Sequence, residues 1–262
     1  MQQESSALPV AASDMDVVMC NSLFDHHPVS SFSRLKLVQA TSAGLDRLPL
    51  EELATIGVRV EPARDVYSPA IAEFVMLLLL QIFKASSSML SRQQRREWQK
   101  ERGLRELTGL TACIVGLGSI GREVATRLTP FGISITSIGR GTSSDDRDQR
   151  LATADIVILS APLTPETYHF MDSRRLASMQ KNSVLINVAR GQLVDEAELI
   201  KLLDQGHFYG VGLDVFENEP LPPDSQLWDY DRVIVTPHNS FVSDQSADRL
   251  VSLLIRNLSE FA

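Results

Sequence analysis

The sequence is poor in cysteine, and its N-terminus lacks the features of an export signal. Only two of the 262 residues are cysteines, Cys20 and Cys113, and both lie in apolar, strand-like runs. Two such thiols give no disulfide framework, so we expect buried free thiols in a reducing compartment. The first ten residues, MQQESSALPV, lack the basic start and the apolar core of a secretory signal. These absences favour a cytoplasmic location.

Long apolar runs and an excess of positive charge are also absent. The longest apolar run is FVMLLLL at 74–80, far shorter than the roughly 20 residues that a membrane span needs. It predicts a buried helix and no membrane partner. The 25 basic and 33 acidic residues give a net charge of -8, whereas a nucleic-acid-binding protein normally presents a basic face. We therefore expect no nucleic-acid partner.

The first third of the chain combines short strands with one long apolar helix. The strand candidates are DVVMC (16–20), LKLVQ (35–39) and GVRV (57–60). Ser68 and Pro69 then offer an N-cap and a proline at the first helical position, which predicts a single helix within 69–91. This helix is apolar on every side at its start, which favours a place between domains or in a subunit interface.

From Thr111 onward, continuous apolar strands alternate with helix-sized segments. Such a rhythm is typical of a parallel sheet that is covered by helices on both faces. The predicted strands are TACIV (111–115), ISITSI (133–138), IVILS (156–160), VLINV (184–188), YGVGLDV (209–215) and VIVT (233–236). We therefore expect an α/β fold with a doubly wound domain over 92–240. A smaller domain would comprise 1–68 and 241–262, with the 69–91 helix between the two.

The segment GLGSIG at 116–121 follows an apolar strand and precedes a helix. In a dinucleotide-binding turn of this kind, Gly116 permits the tight turn, Gly118 lets the backbone approach a pyrophosphate, and Gly121 allows close helix packing. The helix that begins at Ser119 and Ile120 would supply amide donors to the phosphates. A strand-turn-helix without a ligand is the alternative, and the strand and helix on either side disfavour it.

The end of the second strand of this domain indicates which cofactor binds. Sites for NAD normally place an acidic residue there, to accept hydrogen bonds from the ribose hydroxyls. Here the position is Gly139, and Arg140 follows. A missing carboxylate removes repulsion of a 2′-phosphate, and an arginine offers that phosphate a planar partner. The sequence therefore predicts NADP, with NAD possible, and Asp145 and Asp146 would weaken this prediction if their loop folded back.

Three polar residues at strand ends suggest a catalytic site. Arg190 ends the run VLINVAR, Glu219 lies in GLDVFENEP, and His238 follows a strand and a proline in VIVTPH. An arginine, a glutamate and a histidine are the groups needed to hold a 2-oxo acid and protonate its carbonyl oxygen. Taken singly, the arginine could form a surface ion pair and the histidine could be structural. Together with the glycine-rich turn, they favour an enzyme.

Seven ordered motifs carry a family resemblance. They are TSAGLD (41–46), AEFVMLLLL (72–80), ELTGLTACIVGLGSIG (106–121), ADIVILSAPLTPET (154–167), NSVLINVARGQLVDEAEL (182–199), GLDVFENEPLP (212–222) and LWDYDRVIVTPH (227–238). From about Leu35 to His238 the sequence resembles the D-isomer-specific 2-hydroxyacid dehydrogenases, which include phosphoglycerate dehydrogenases and glyoxylate/hydroxypyruvate reductases. The resemblance implies a Rossmann-type domain, a smaller flavodoxin-like substrate domain and a homodimer. Only about a dozen residues precede SDMDVVMC, so we expect a truncated substrate domain.

The resemblance also implies residue roles. Arg190 would bind the substrate carboxylate and carbonyl, and His238 would donate a proton to the carbonyl oxygen as hydride reaches C2. Glu219 would orient the imidazole and favour its protonated form. Asp214 would lie near the nicotinamide, although a strand-end acid can simply cap a turn. The implied binding residues are Ser42, Ala43 and Gly44 for the substrate carboxylate, and Pro162, Thr167, Val188 and Ala189 for the cofactor.

The expected reaction is NADPH-dependent reduction of a small 2-oxo acid to the D-2-hydroxy acid. Glu219 supports this expectation, since the formate dehydrogenases that share this fold carry glutamine in that role. A corepressor-like protein that binds the nucleotide and a protein partner is the alternative function. His26 and His27 follow Asp25 and could suggest a metal site, but no further ligands lie at useful spacing. We therefore expect no bound metal.

Overall fold

The computed structural model describes residues 4–260, which form two compact units. The small unit comprises the described parts of Met1–Tyr67 and Ser243–Ala262, and the large unit comprises Ser68–Val242. Within the described residues the strands are β1 (Val17–Cys20), β2 (Leu37–Ala40), β3 (Arg59–Glu61), β4 (Thr111–Val115), β5 (Ser134–Ile138), β6 (Ile156–Leu159), β7 (Val184–Asn187), β8 (Gly210–Leu213) and β9 (Val233–Val235). The α-helices are α1 (Leu50–Thr55), α2 (Ser68–Phe83), α3 (Ser86–Gln94), α4 (Ser119–Leu128), α5 (Ser144–Thr153), α6 (Ser173–Ser178), α7 (Glu196–Asp204) and α8 (Ser246–Ser259).

The small unit is a three-stranded parallel sheet with helices packed on it. The strand order is β1-β2-β3, and the middle strand β2 is buried along its whole length. Gln39 on β2 is the polar exception, and its Oε1 accepts a hydrogen bond of 2.7 Å from Nδ2 of Asn257 on α8. Leu250 and Leu253 of α8 also pack on a small apolar cluster with Ala63 and Val66. The last described helix is thus part of this unit.

The large unit is a six-stranded parallel sheet of order β5-β4-β6-β7-β8-β9. The chain runs outward from β4 to β5 and then crosses back to β6 on the other side of β4, so the winding direction reverses between β4 and β6. In open α/β sheets, ligands bind beyond the carboxyl ends of the strands at such a reversal. The predicted doubly wound α/β architecture is confirmed.

Helix α2 covers one face of this sheet, at a point where β8 has two glycines. It packs against α4 and β8. At Gly210 and Gly212 an added Cβ atom would meet Ile82 and Leu78 of α2. The absence of these Cβ atoms lets the helix lie directly on the strand, which explains why an apolar helix occurs at this point in the sequence.

The prediction of one helix over 69–91 is wrong, because the segment is two helices that meet at 67°. Ala85 adopts a left-handed backbone conformation (φ 50°, ψ 44°), which ends the hydrogen-bonded ladder of α2. Serines at 86–88 follow, and serine favours helix starts over helix interiors because its hydroxyl competes for backbone groups. No single helix in the described residues is long and apolar enough to span a membrane, although the bent pair α2–α3 meets those criteria by length and composition alone.

The start of α7 illustrates how local sequence signals are realised. Asp195 is its N-cap, with the carboxylate accepting a 3.1 Å hydrogen bond from the Glu198 amide. The Glu198 side chain instead accepts from Lys201 Nζ at 2.6 Å. Only half of a capping box therefore forms.

Candidate active site

The candidate residues of the large unit all follow the carboxyl ends of its strands. The glycine-rich turn follows β4, Gly139 and Arg140 follow β5, Pro162 and Thr167 follow β6, Val188, Ala189 and Arg190 follow β7, Asp214 follows β8, and His238 follows β9. Because the strands are parallel, these ends share one edge of the sheet, here called the carboxyl edge. The fold therefore brings the predicted cofactor and catalytic residues to a single side of the unit.

The glycine-rich turn has the geometry of a phosphate cradle. Gly116 has a φ of 94°, which a residue with a Cβ atom rarely adopts, and an added Cβ would collide with the Ala161 backbone. At Gly121 an added Cβ would overlap the Gly116 carbonyl, so this glycine permits close helix packing. An added Cβ at Gly118 would meet no atom within 4 Å, and Gly118 is exposed. The amides of Ser119, Ile120 and Gly121 open α4 and precede its first intrahelical donor, so they can face an anion.

Arg140 lies just past β5, where a nucleotide ribose would be held. Thr142 stabilises the turn after β5, since its Oγ1 accepts a hydrogen bond from the Gly139 amide at 3.0 Å. Helix α5 starts at Ser144 and takes Asp145 and Asp146 into its first turn. In the loop after β6, hydrogen bonding from Thr164 lowers the pKa of the Glu166 carboxyl, and the positive charge of Arg140 lowers that pKa further. Arg140 thus lies close to the loop that follows β6.

The loop after β6 is held by its own hydroxyl groups. Thr167 Oγ1 donates to the Pro162 carbonyl at 2.7 Å and accepts from the Thr164 amide at 2.7 Å. Ser160 Oγ donates to the Gly116 carbonyl at 2.7 Å, which joins this loop to the glycine-rich turn. Val188 and Ala189 are buried at the end of β7. These contacts fix the loop after β6 and join it to the glycine-rich turn at the carboxyl edge.

His238 and Glu219 form a hydrogen-bonded pair. His238 Nδ1 lies 2.7 Å from Glu219 Oε2, and each side chain is 32% exposed. Glu219 Oε1 accepts from the Phe216 amide at 3.1 Å, which fixes the carboxylate on its own loop. The second imidazole nitrogen, Nε2, remains for a reacting group. Backbone φ at His238 is 51°, an uncommon value for a residue with a Cβ atom, and such strain occurs often at functional sites.

Asp214 holds the loop that carries His238. It is 0% exposed. Its carboxylate accepts hydrogen bonds from the Thr236 hydroxyl at 2.7 Å, the Asn239 amide at 2.8 Å and the Ser240 amide at 2.9 Å. The Asp214 carbonyl also accepts from the His238 amide at 2.8 Å. Its observed contacts are those of a residue that caps a turn, with the turn being the one that positions the histidine.

Arg190 is anchored through the residues around it. Its Nη1 donates to the Ala189 carbonyl at 2.8 Å. Asn187, buried at the end of β7, donates to the Arg190 carbonyl at 2.8 Å and accepts from the Ala189 amide at 3.1 Å. At Gly191 an added Cβ would overlap the backbone of Phe216 and Glu217. The arginine loop is therefore packed directly against the loop that leads to Glu219.

Two further carboxylates, those of Glu196 and Glu217, help to fix the loop that carries Glu219. The Glu217 amide donates to Glu196 Oε1 at 2.6 Å, and the Glu196 amide donates to Glu217 Oε1 at 3.1 Å. His169 Nε2 lies 3.1 Å from the same Glu217 oxygen. Burial raises the pKa of the Glu196 carboxyl, and the charges of Glu217 and Glu219 raise it further. This reciprocal contact ties the Glu219 loop to the start of α7.

Ser42, Ala43 and Gly44 lie in the small unit, in the loop that follows β2. Ser42 Oγ donates to the Gly44 carbonyl at 2.6 Å, and the Ser42 carbonyl accepts from the Ala63 amide at 2.9 Å. Their contact with a substrate carboxylate stays a prediction. Within the residues that the structure describes, no group of three or more His, Cys, Asp or Glu side chains is arranged to hold a metal ion.

Several residues of this site were absent from the sequence-based prediction. Asn187 carried a readable signal, because it is a polar residue in an otherwise apolar strand. Gly191, Glu196, Glu217 and His169 carried none, since each acts through a contact with a residue distant in the chain.

Comparison with known proteins shows the family of this chain. Residues 76–240 match the family model described as D-isomer specific 2-hydroxyacid dehydrogenase, NAD binding domain. A glyoxylate reductase from Thermofilum pendens is 34% identical over an alignment 264 positions long, gaps included, and the alignment covers 94% of this chain and 78% of that protein.

Two solved structures have a similar fold. The D-lactate dehydrogenase of Aquifex aeolicus, complexed with NAD and lactic acid, has a TM-score of 0.79 and 27% identity, over 95% of this chain and 84% of that one. A D-isomer specific 2-hydroxyacid dehydrogenase from Xanthobacter autotrophicus, in complex with NADPH and MES, has a TM-score of 0.77 and 29% identity, over 95% and 82%. Similar folds therefore bind either nicotinamide cofactor.

Proposed function

The chain belongs to the D-isomer-specific 2-hydroxyacid dehydrogenase family, and we propose that it reduces a small 2-oxo acid such as glyoxylate with NADPH. The observation that carries the proposal is the His238–Glu219 pair, 2.7 Å apart, on the same sheet edge as Arg190 and the glycine-rich turn. The glyoxylate reductase among its relatives supports the choice of a small substrate.

Arg190 is proposed to bind the substrate. Its guanidinium presents a planar set of donors that can reach the carboxylate and the carbonyl oxygen together. Asn187 and Gly191 fix the backbone on either side of it. The amides of Ser42, Ala43 and Gly44 are proposed to hold the carboxylate as well. The arginine would thereby polarise the carbonyl while it orients the acid.

His238 is proposed to supply the proton. The glycine-rich turn would hold the cofactor by its phosphates, and the reduced cofactor would supply the hydride to C2. As negative charge develops on the carbonyl oxygen, protonated His238 donates a proton from Nε2, and the product is the 2-hydroxy acid. Glu219 keeps the imidazole in orientation through Nδ1 and stabilises its positive charge. In the oxidative direction, the neutral imidazole takes the proton back.

A panel of 2-oxo acids tests this proposal. We expect NADPH oxidation with glyoxylate, hydroxypyruvate or a larger 2-oxo acid. General acid catalysis contributes about 10²- to 10⁴-fold, so H238A should lower kcat by that order, and R190A should raise KM and lower kcat. Cofactor affinity should stay unchanged in both variants. If cofactor binds tightly but none of the acids is turned over, the nucleotide-dependent binding protein becomes the better assignment.

NADPH is the proposed cofactor because of the residues after β5. Gly139 presents no carboxylate to a 2′-phosphate, and Arg140 follows it with an exposed side chain. A charge-assisted hydrogen bond contributes about 1.5–3 kcal/mol, so R140Q should weaken NADPH binding roughly 10- to 100-fold and leave NADH binding nearly unchanged. Fluorescence titration with both cofactors measures this. Tighter binding of NADH than of NADPH to the unaltered protein would contradict the assignment.

A homodimer is proposed from the surface of α2 and α3. Leu77, Met89 and Leu90 are exposed apolar side chains on these two helices. Such exposed apolar groups on neighbouring helices favour a protein interface. Sedimentation velocity should give twice the chain mass, and L77E combined with L90E should shift it to the mass of one chain.

We propose a cytoplasmic location on the state of the two thiols. Cys20 and Cys113 are both free and buried. Burial raises the pKa of the Cys20 thiol to about 12 and also raises that of Cys113, which makes both poor nucleophiles. Cell fractionation with thiol labelling of the denatured protein tests the location.

A further inference from the structure

A groove of about 500 Å³ lies at the other edge of the large sheet, where its strands begin. This amino-edge groove is lined by Arg105, Asp155, Lys181, Ser183, Tyr209 and Arg232, among others. Four of these residues directly precede strands β6, β7, β8 and β9. Because the strands are parallel, the groove is at the opposite end from Arg190, Asp214 and His238. It is therefore separate from the candidate active site.

Positive charge gathers in this groove, although the whole chain carries a net charge of -8. Arg105, Lys181 and Arg232 line the groove together with a single carboxylate, that of Asp155. One oxygen of Asp155 is occupied by the Thr111 amide, at 2.8 Å. Within residues 4–260, none of the three cations forms an ion pair. Uncompensated cations in a concave site attract anions.

Arg105 is held in place before any ligand arrives. Its guanidinium stacks 4.8 Å from the Tyr209 ring centroid and 5.5 Å from that of Phe83. Its Nη1 donates to the Asn182 carbonyl at 2.8 Å. The remaining N–H groups of the guanidinium can donate to an oxyanion, and a fixed arginine loses little freedom when it binds one.

Ser183 adds an independent sign of a ligand. The residue is 1% exposed, and its hydroxyl has no hydrogen-bond partner among the described residues. Buried polar groups in folded proteins are almost always hydrogen-bonded, and an exception calls for an explanation such as a bound group. An oxyanion or a water held by it would complete the bonding of this hydroxyl.

We propose that the amino-edge groove binds a small phosphate-bearing anion. Arg105 would donate in the plane of its guanidinium, Lys181 and Arg232 would neutralise the remaining charge, and Ser183 would contribute a hydroxyl. A phosphate monoester and inorganic phosphate share this chemistry. The amino-edge groove is remote from the glycine-rich turn, and the proposed phosphate binding does not depend on the proposed reaction.

Backbone amide NMR of the full chain, without cofactor, tests the proposal with inorganic phosphate and glycerol 3-phosphate as probes. We expect saturable shifts of the amides of Asn182, Ser183 and Tyr209 with both probes, because inorganic phosphate and a phosphate monoester present the same oxyanion. Shifts that do not saturate, or that occur only at 116–121, would overturn the proposal.

Variants separate the groove from general charge effects. K181Q combined with R232Q should weaken phosphate binding at least about tenfold, since each charge-assisted contact is worth that order. K201Q, which removes a cation on α7, is the matched control and should leave the affinity unchanged. S183A should raise the dissociation constant without lowering Tm, because only the unpaired hydroxyl is lost. Equal affinity in the double variant and in K201Q would reject the site.

Discussion

The imidazole Nδ1 of His238 lies 2.7 Å from Oε2 of Glu219, although the two residues are 19 positions apart in the chain. Each belongs to a different loop at the carboxyl edge, and each loop is held by separate contacts. Asp214 fixes the histidine loop, while Phe216 and Glu196 help to fix the glutamate loop. The geometry of the pair therefore depends on residues outside the pair.

Substitution of Glu219 tests this relationship directly. E219Q keeps an acceptor for the imidazole but removes the negative charge opposite it. We expect kcat for 2-oxo acid reduction to fall about 10- to 100-fold, the value of one charge-assisted hydrogen bond. Steady-state kinetics with glyoxylate measure this effect. E123Q, a change at a surface ion pair, serves as control, and an unchanged kcat for E219Q would contradict the role.

Gly191 should be intolerant of any side chain. In G191A the new methyl group would overlap the Phe216 and Glu217 backbone, and overpacking of this kind costs roughly 1–3 kcal/mol or more. We expect a lower Tm and, because Arg190 is displaced, a lower kcat/KM. G141A is the matched control, since a Cβ atom there meets nothing within 4 Å. Equal Tm values for the two variants would show that the loops are not in this contact.

Asp214 should be needed for stability as well as for activity. D214N replaces one carboxylate oxygen by an NH2 group, which cannot accept, so either the Asn239 amide or the Ser240 amide loses its acceptor. A buried donor left unsatisfied costs about 1–3 kcal/mol, so urea unfolding should occur at a lower midpoint. Turnover should fall as well, since the turn before His238 loosens. D231N changes an exposed aspartate and should have little effect on either measurement.

The raised pKa of Glu196 predicts a pH-dependent stability effect. Burial disfavours its ionised form in the folded state, so the carboxyl binds a proton more tightly there than in the unfolded chain. Its contribution therefore favours folding below the ordinary value of 4.5 and declines as pH rises through the raised folded value. E196Q does not titrate but keeps an acceptor for the Glu217 amide. The free energy of unfolding of E196Q, relative to the unaltered protein, should increase as pH rises.

Urea unfolding at several pH values from 4.5 upward measures the Glu196 effect. E196A lacks the acceptor and should be less stable than E196Q at every pH. A constant difference between E196Q and the unaltered protein across this range would mean that Glu196 titrates normally in the folded state.

Much of the fold was predictable because it rests on local patterns. The apolar strands after Thr111, the helix that begins at Ser119 and the glycine-rich turn are each encoded in a few consecutive residues. The helix over 69–91 was predicted wrongly because its composition is continuous, whereas the backbone breaks at Ala85. That break depends on a left-handed backbone conformation at Ala85. An alanine in a sequence does not predict such a conformation.

The parallel sheet, the glycine-rich turn and the identity of the groups that can carry the chemistry follow from the order of the amino acids alone. Strand periodicity and glycine spacing are short-range properties, so they are visible in the sequence. Folding is what brings Nδ1 of His238 to Glu219, Asp214 to the histidine turn, and Gly191 to the loop of Glu219. It also brings Arg105, Lys181 and Arg232 to one groove. These contacts join residues from different strand ends, and strand order and register, which no local pattern specifies, set the distances between them.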